Sequence, residues 1–275
     1  MMRANPLLYK EFRQRMRARR TPLVVAGYFV SMAALTFFLL YENVQGQLVF
    51  VLPARSEQVF LLLSLLQMTV VAFLTPAFAA GAISGERERR TLAVLLTTPL
   101  SPIGILVGKV LSSSALLALL LVVTLPLYSL VFLFGGAVPQ EVLAVFGFQM
   151  LNIILIAALS VLWSTIALRS GWSTVLSYAT VGFMVIFTGV VGYGLRLLAQ
   201  SPMEFFAMQW SNELLGLNPL WIEASLAGVV TTVSHAWLRF LGFYAALVVV
   251  LAIPAVFRLR PQLWRFLPGD ERNYQ

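Results

Sequence analysis

Residues 109–141, KVLSSSALLALLLVVTLPLYSLVFLFGGAVPQE, carry no charge between Lys109 and Glu141. A helix crossing bilayer hydrocarbon needs about 20 predominantly apolar residues, and this run exceeds that length. A strand of a membrane barrel would alternate apolar and polar side chains over about ten positions. Leu116–Val123 does not alternate, and neither does Ala245–Leu251. The stretch reads as a spanning helix. Other charge-free runs follow the same logic. Arg20 to Glu42 encloses a first span and Glu57 to Glu86 a second. Beyond the quoted stretch, Glu141 to Arg169 and Arg169 to Arg196 enclose a fourth and fifth. A sixth runs from about Ala236 to Phe257, with Arg239 near its end. The expected fold is an all-α integral membrane protein, one transmembrane domain over residues 1–275.

Composition agrees. The 275 residues are 60% hydrophobic and 11% charged, with a mean hydropathy of +0.88. Soluble domains carry about 25% charged residues, and an interior of this size cannot hide so much apolar surface. The net charge of +8 does not point to nucleic acid, because the bases cluster beside the apolar runs. Seven precede the first span: Arg3, Lys10, Arg13, Arg15, Arg17, Arg19 and Arg20. Arg87, Arg89, Arg90 and Lys109 lie between spans two and three, Arg169 between four and five, and Arg258, Arg260, Arg265 and Arg272 after six. The other side keeps Arg55, Arg196 and Arg239. Lys and Arg stay on the cytoplasmic side, which places both termini in the cytoplasm; the expected location is a prokaryotic-type cell (inner) membrane. The chain has no cysteine and one histidine, His235. That removes disulfides and thiolate chemistry and leaves little for a metal.

The opening is basic, but the apolar run behind it is too long for a signal peptide and lacks a small-residue cleavage site. Within residues 1–21, Asn5 suits a helix cap and Pro6 a first turn. Leu8, Phe12 and Met16 then form one stripe, with Lys10, Arg13, Arg17 and Arg20 elsewhere on the cylinder. This is the pattern of an amphipathic helix in the headgroup plane; a plain topology signal without a helix is the alternative. Pro76 and Pro126 are candidate kinks.

Residues 84–102 read SGERERRTLAVLLTTPLSP. A dense block of mixed charge passes into a short amphipathic helix with Leu92, Leu95 and Leu96 at i, i+3 and i+4. Pro99 and Pro102 stop it. These leucines are too few to span and too apolar for an idle loop, so they call for headgroups or a protein partner. Physics alone leaves the two even.

At this point the sequence resembles a family. Glu86-Arg87-Glu88-Arg89-Arg90-Thr91-Leu92, then Leu95-Leu96-Thr97-Thr98-Pro99-Leu100-Ser101 and Gly108-Lys109, is similar to the signature of type-2 ATP-binding-cassette (ABC) exporter permeases. Leu217-Asn218-Pro219-Leu220-Trp221 resembles the Asn-Pro element in the family's outer segment, expected here over residues 199–235 as short helices forming a lid. Arg90 departs from a usual glycine and Ala93 from a frequent acid. The resemblance implies that Thr91, Leu92, Leu95 and Leu96 belong to a cytoplasmic coupling helix docking on a separate ATPase subunit. Glu86, Arg87, Glu88 and Arg90 would form its charged rim, and the N-terminal helix would be the family's connecting helix. ATP and magnesium would be bound by the ATPase, with no cofactor on this chain. A second permease, identical or paralogous, would complete the assembly in the lipid bilayer, and the cargo would be lipophilic or amphipathic.

Competing readings fare less well. Gly104 to Val110 has three residues between its glycines, not four, and no Ser or Thr for magnesium, so it is no phosphate loop. Gly104 and Gly108, and Gly81 and Gly85, are small pairs expected to allow close helix contact. His235 has no nearby carboxylate, and Glu204, Glu213 and Glu223 are expected to solvate exposed turns. Gln67, Thr69, Thr75, Gln149, Asn152 and Thr165 face either a pathway or neighbouring helices. An ion-driven transporter would place ionisable groups inside its spans, whose central parts lack charge. An intramembrane enzyme would need a base beside its nucleophile. A non-transporting scaffold could keep the coupling helix.

Overall fold

The computed structural model describes residues 20–44, 53–92, 101–133, 137–199, 204–230 and 235–259. The residues expected in the N-terminal helix (Leu8, Lys10, Phe12, Arg13, Met16 and Arg17) lie outside the described residues, as do Leu95, Leu96 and Pro99. In chain order the helices are α1 (Arg20–Val44), α2 (Pro53–Ala79), α3 (Ser84–Glu88), α4 (Pro102–Val123) and α5 (Leu125–Leu133). They continue as α6 (Pro139–Ile166), α7 (Ser170–Gly182), α8 (Thr188–Leu198), α9 (Glu204–Leu215), α10 (Pro219–Leu226) and α11 (Ala236–Leu259). No strand occurs among the described residues. Among the described residues, six segments are long and apolar enough to cross a membrane. Spans 1, 2, 4 and 6 are built on α1, α2, α6 and α11; α4 with α5, and α7 with α8, build spans 3 and 5. The chain is an all-α integral membrane protein.

Span 3 starts earlier than the charge pattern implied. The Ser101 side chain accepts the Gly104 N–H at 3.1 Å, and Pro102 occupies the first turn, where its missing N–H costs nothing. Lys109 therefore stands inside the helix, not at its edge. At the far end the helix breaks at Thr124, two residues before Pro126, whose ring cannot continue the hydrogen-bond ladder. Thr124 Oγ1 donates to Leu121 O at 2.7 Å and accepts from Gln67 Nε2 at 2.8 Å, which ties the break to span 2.

Span 5 contains a π turn, Phe183–Phe187, between α7 and α8. Asn218 Nδ2 donates to Val185 O within it at 2.8 Å. The same side chain accepts Leu220 N at 2.9 Å and Trp221 N at 3.2 Å, capping α10 with Pro219 at its first position. One asparagine thus starts α10 and fastens it to span 5.

Span 4 is the hub, packing on spans 2, 3, 5 and 6. Spans 1 and 6 bury only 11% and 17% of their most apolar windows, against 56% for span 2, so they flank the bundle. One apolar cluster joins spans 1 to 4 around Phe60, Tyr128 and Phe146, whose rings meet edge to face at 5.8 and 4.8 Å. A second lies beneath α3, and a third joins span 4, span 5, α10 and span 6. The glycine expectation is corrected in part. Open space surrounds Gly81 and Gly85, and a Cβ on Gly104 would meet only Ser101 Oγ. Close approaches are at Gly189, where a Cβ would stand 2.8 Å from Asn218 Nδ2, and at Gly192, where it would stand 2.9 Å from Leu215 of α9.

Candidate functional site

The block Ser84–Leu92 leaves span 2 through a turn and forms one short helix, α3. Five residues cannot hold themselves as a helix, so their neighbours must. Ser164 Oγ of span 4 accepts the N–H groups of Ile83 at 3.0 Å and Ser84 at 2.9 Å. Ser173 Oγ of span 5 donates to Ala80 O at 2.6 Å. The entrance is pinned on two spans.

The charges come next. Arg87 Nη1 donates to Ala167 O at 2.6 Å and Nη2 to Thr165 O at 3.2 Å; Arg258 of span 6 donates to Ile166 O between them. Those carbonyls end span 4, where a helix leaves acceptors unsatisfied and carries partial negative charge. The two arginines meet both needs. Glu88 does the reverse for span 5: its carboxylate accepts Ser170 N at 2.7 Å and Ser170 Oγ at 2.9 and 2.8 Å. Arg169, at the cap position, makes no side-chain cap bond, so the acid beside this positive helix end comes from 82 residues away. Glu86 pairs with Lys109 of span 3, whose side chain is 5% exposed.

Sequence reading placed Glu86, Arg87, Glu88 and Arg90 on a rim. In the structure the first three are bonded to spans 3, 4 and 5, because unsatisfied helix ends and a buried lysine lie within their reach. Arg89 and Arg90 remain exposed, so the face turned outward is basic. Arg90 has φ +58°. Its N–H donates to Arg87 O at 3.0 Å and Thr91 N to Glu86 O at 2.9 Å, the pair of bonds of a Schellman cap. Its left-handed residue is ordinarily glycine, which explains physically why a glycine suits this position. Leu92 turns inward, 4% exposed, among Ile83, Ile105 and Leu106. It roots the segment in its own bundle.

At the opposite end lies a second constellation, which the sequence reading missed. Glu223 of α10 was expected on a solvated turn; it is fully buried, because α10 folds back against spans 2 and 4. Gln149 Nε2 of span 4 donates to Glu223 Oε1 at 2.6 Å and to Ser64 O of span 2 at 3.3 Å. Glu213 instead pairs with Arg239 at 2.5 Å. Of the other polar side chains expected at a pathway or helix contact, Thr69, Thr75, Asn152 and Thr165 bond to carbonyls one turn back in their own helices, and Gln67 bonds Thr124. Tyr128 and Phe146 also floor an open apolar groove of about 400 Å³ facing outward from the bundle. Among the described residues no group of three His, Cys, Asp or Glu is placed to hold a metal.

Compared with known proteins, residues 6–268 match the family model described as ABC-2 family transporter protein. No curated protein matches the chain.

Proposed function

Because this chain belongs to the ABC-2 family of transporter proteins, we propose that it is the permease through which a separate ATPase drives export of a lipophilic or amphipathic compound. One observation carries the coupling. The segment leading from α3 through Leu92 toward Leu95, Leu96 and Pro99 is bonded at its root to spans 3, 4 and 5. Arg258 of span 6 joins it at the same span 4 terminus. A force applied at Leu95 and Leu96 is passed to four spans together, because these are short, direct bonds between rigid helices. ATP and magnesium belong to the ATPase, and two permeases with two ATPases make the working unit. The helix containing Leu8, Phe12 and Met16 rests on the headgroups, Lys10, Arg13 and Arg17 beside anionic lipid.

Purified alone and free of contaminants, the chain should neither bind ATP specifically nor hydrolyse it. Isolated with its ABC ATPase it should hydrolyse ATP, faster in the presence of the exported compound. Hydrolysis by the chain alone overturns the division of labour; ATPase binding without any such compound favours a scaffold.

Both termini and the Glu86 end face the cytoplasm on this reading, with α9 and α10 outside. Single cysteines at Arg89 and Gln209, both exposed, test it in a chain with none of its own. An impermeant thiol reagent on intact cells should label the Gln209→Cys variant and spare the Arg89→Cys variant; the reverse pattern overturns the orientation.

A further inference from the structure

Five buried oxygens where α10 and spans 1 to 4 meet have no hydrogen-bond partner: Tyr28 Oη, Gln67 Oε1, Tyr128 Oη, Gln149 Oε1 and Glu223 Oε2. They form one neighbourhood. Gln149 bonds Glu223 and Ser64, Tyr128 lies within hydrogen-bonding reach of the Gln149 side chain and electrostatic reach of Glu223 and Tyr28, and Gln67 bonds Thr124, one turn from Tyr128. Three of the five, Gln67 Oε1, Gln149 Oε1 and the carboxylate Oε2 of Glu223, can only accept, while the Tyr28 and Tyr128 hydroxyls bring one donor each. Two donors cannot serve three acceptors, so the neighbourhood is one donor short.

No base supplies it. The groups facing Glu223 are Ser64 from span 2, Tyr128 from span 3 with Tyr28 of span 1 behind it, and Gln149 from span 4. Span 6 contributes Tyr244, whose hydroxyl donates to Leu217 O at 3.0 Å. Span 5 contributes Arg196, which stands over the Trp221 ring at 5.2 Å, and Glu141 of span 4 stands beside Gly228. None of these places a positive charge on the carboxyl. An unpaired carboxylate out of water is strongly disfavoured and takes up a proton. A protonated carboxyl and a primary amide are complementary: each offers one donor and one acceptor in a plane. One leg of that pair, Gln149 Nε2 to Glu223 Oε1, is already in place.

We infer that Glu223 is a proton-binding site, whose proton on Oε2 is shared with Gln149 Oε1 and keeps α10 seated on spans 2 and 4. Two further polar ties, Asn218 to Val185 and Tyr244 to Leu217, hold α10 and its approach at the N-terminal end. Loss of the proton leaves a charge beside unpaired oxygens, and the helix relieves it by lifting about Asn218-Pro219 into water. Burial holds the carboxyl of the seated form well above the usual carboxylate range, against the opposing hydrogen bonds from Gln149 and Ser64. In the lifted form it returns to the ordinary range. The sign follows. Seating is complete below the ordinary carboxylate range and is lost as pH rises through the seated-form value, about tenfold in the seated-to-lifted ratio per pH unit. The site stands apart from the direction of transport and from the ATPase.

Two measurements on the full chain in its membrane test it. Infrared spectra at neutral pH should contain a protonated-carboxyl band that titrates away in alkali and is missing from the Glu223→Gln variant. Its absence from the unaltered protein overturns the proton site, whether or not any variant folds. For the latch, a single cysteine at Ala224, buried beside Glu223, is labelled in leaky membranes across pH, with and without Glu223→Gln. The ratio of the two rates cancels the chemistry of the thiol. It should be near one in acid and rise by about tenfold per pH unit once α10 begins to lift, because the glutamine keeps the helix seated. A ratio flat at one across alkaline pH overturns the latch.

Discussion

Replacing Glu86 with Ala should cost the fold about 3 kcal/mol, because it strips Lys109 of its carboxylate inside span 3. The two ends of the pair are unequal: the Lys109 side chain is 5% exposed and that of Glu86 27%. Water reaches the acid and scarcely reaches the lysine. Lys109→Met should therefore cost less, about 1 kcal/mol, since Glu86 left alone is partly hydrated. The double variant Glu86→Ala with Lys109→Met should recover most of the loss, because replacing a buried pair by apolar groups is often close to neutral. Thermal unfolding in detergent with the four proteins side by side is the measurement. A Glu86→Ala protein as stable as the native one contradicts the account of the clamp, as does a double variant less stable than Glu86→Ala. Coupling should suffer in all three variants, the stable double variant included, because each leaves the segment that receives the force loose from span 3.

The six spans were legible because length and charge decide them: nothing but a bilayer accommodates runs such as Val110–Gln140. The start of span 3 was not, since a lysine normally marks the water boundary, and only a carboxylate 23 residues upstream lets Lys109 go inside. The π turn Phe183–Phe187 sits in an apolar run that looks alike at either helical pitch. The motif around Glu86 to Leu92 marked the right segment, but Arg87 bonds to the carbonyls of residues 165 and 167, which have no side-chain signature. Ser164 and Ser173 carry equally little: a serine in an apolar helix usually bonds to its own turn. Glu223 misled for the opposite reason. An acid among short amphipathic helices is ordinarily solvated, and its burial follows from Asn218 and Tyr244 drawing α10 back onto the bundle. Asn218-Pro219 itself was visible as a motif; its second bond, to the π turn, was not.

The largest functional effect is expected at Leu95 and Leu96. They continue the segment rooted by Leu92 and held to spans 3, 4 and 5. Leu92 is buried in its own bundle, so on the coupling account Leu95 and Leu96 enter the ATPase groove. Each large apolar side chain removed from water is worth roughly 1.5–3 kcal/mol before the costs of association. Two aspartates would forfeit that gain and bring two charges that a closed groove cannot hydrate. The clamp from Ser84 to Glu88 and the six spans are untouched by the change, so insertion should be unaffected. The direct measurement is copurification of the ABC ATPase with the Leu95→Asp, Leu96→Asp double variant, beside transport and membrane abundance. The account predicts native abundance, a loss of bound ATPase of at least about tenfold, and no transport. A double variant that inserts, retains its ATPase and transports at the native rate would contradict it.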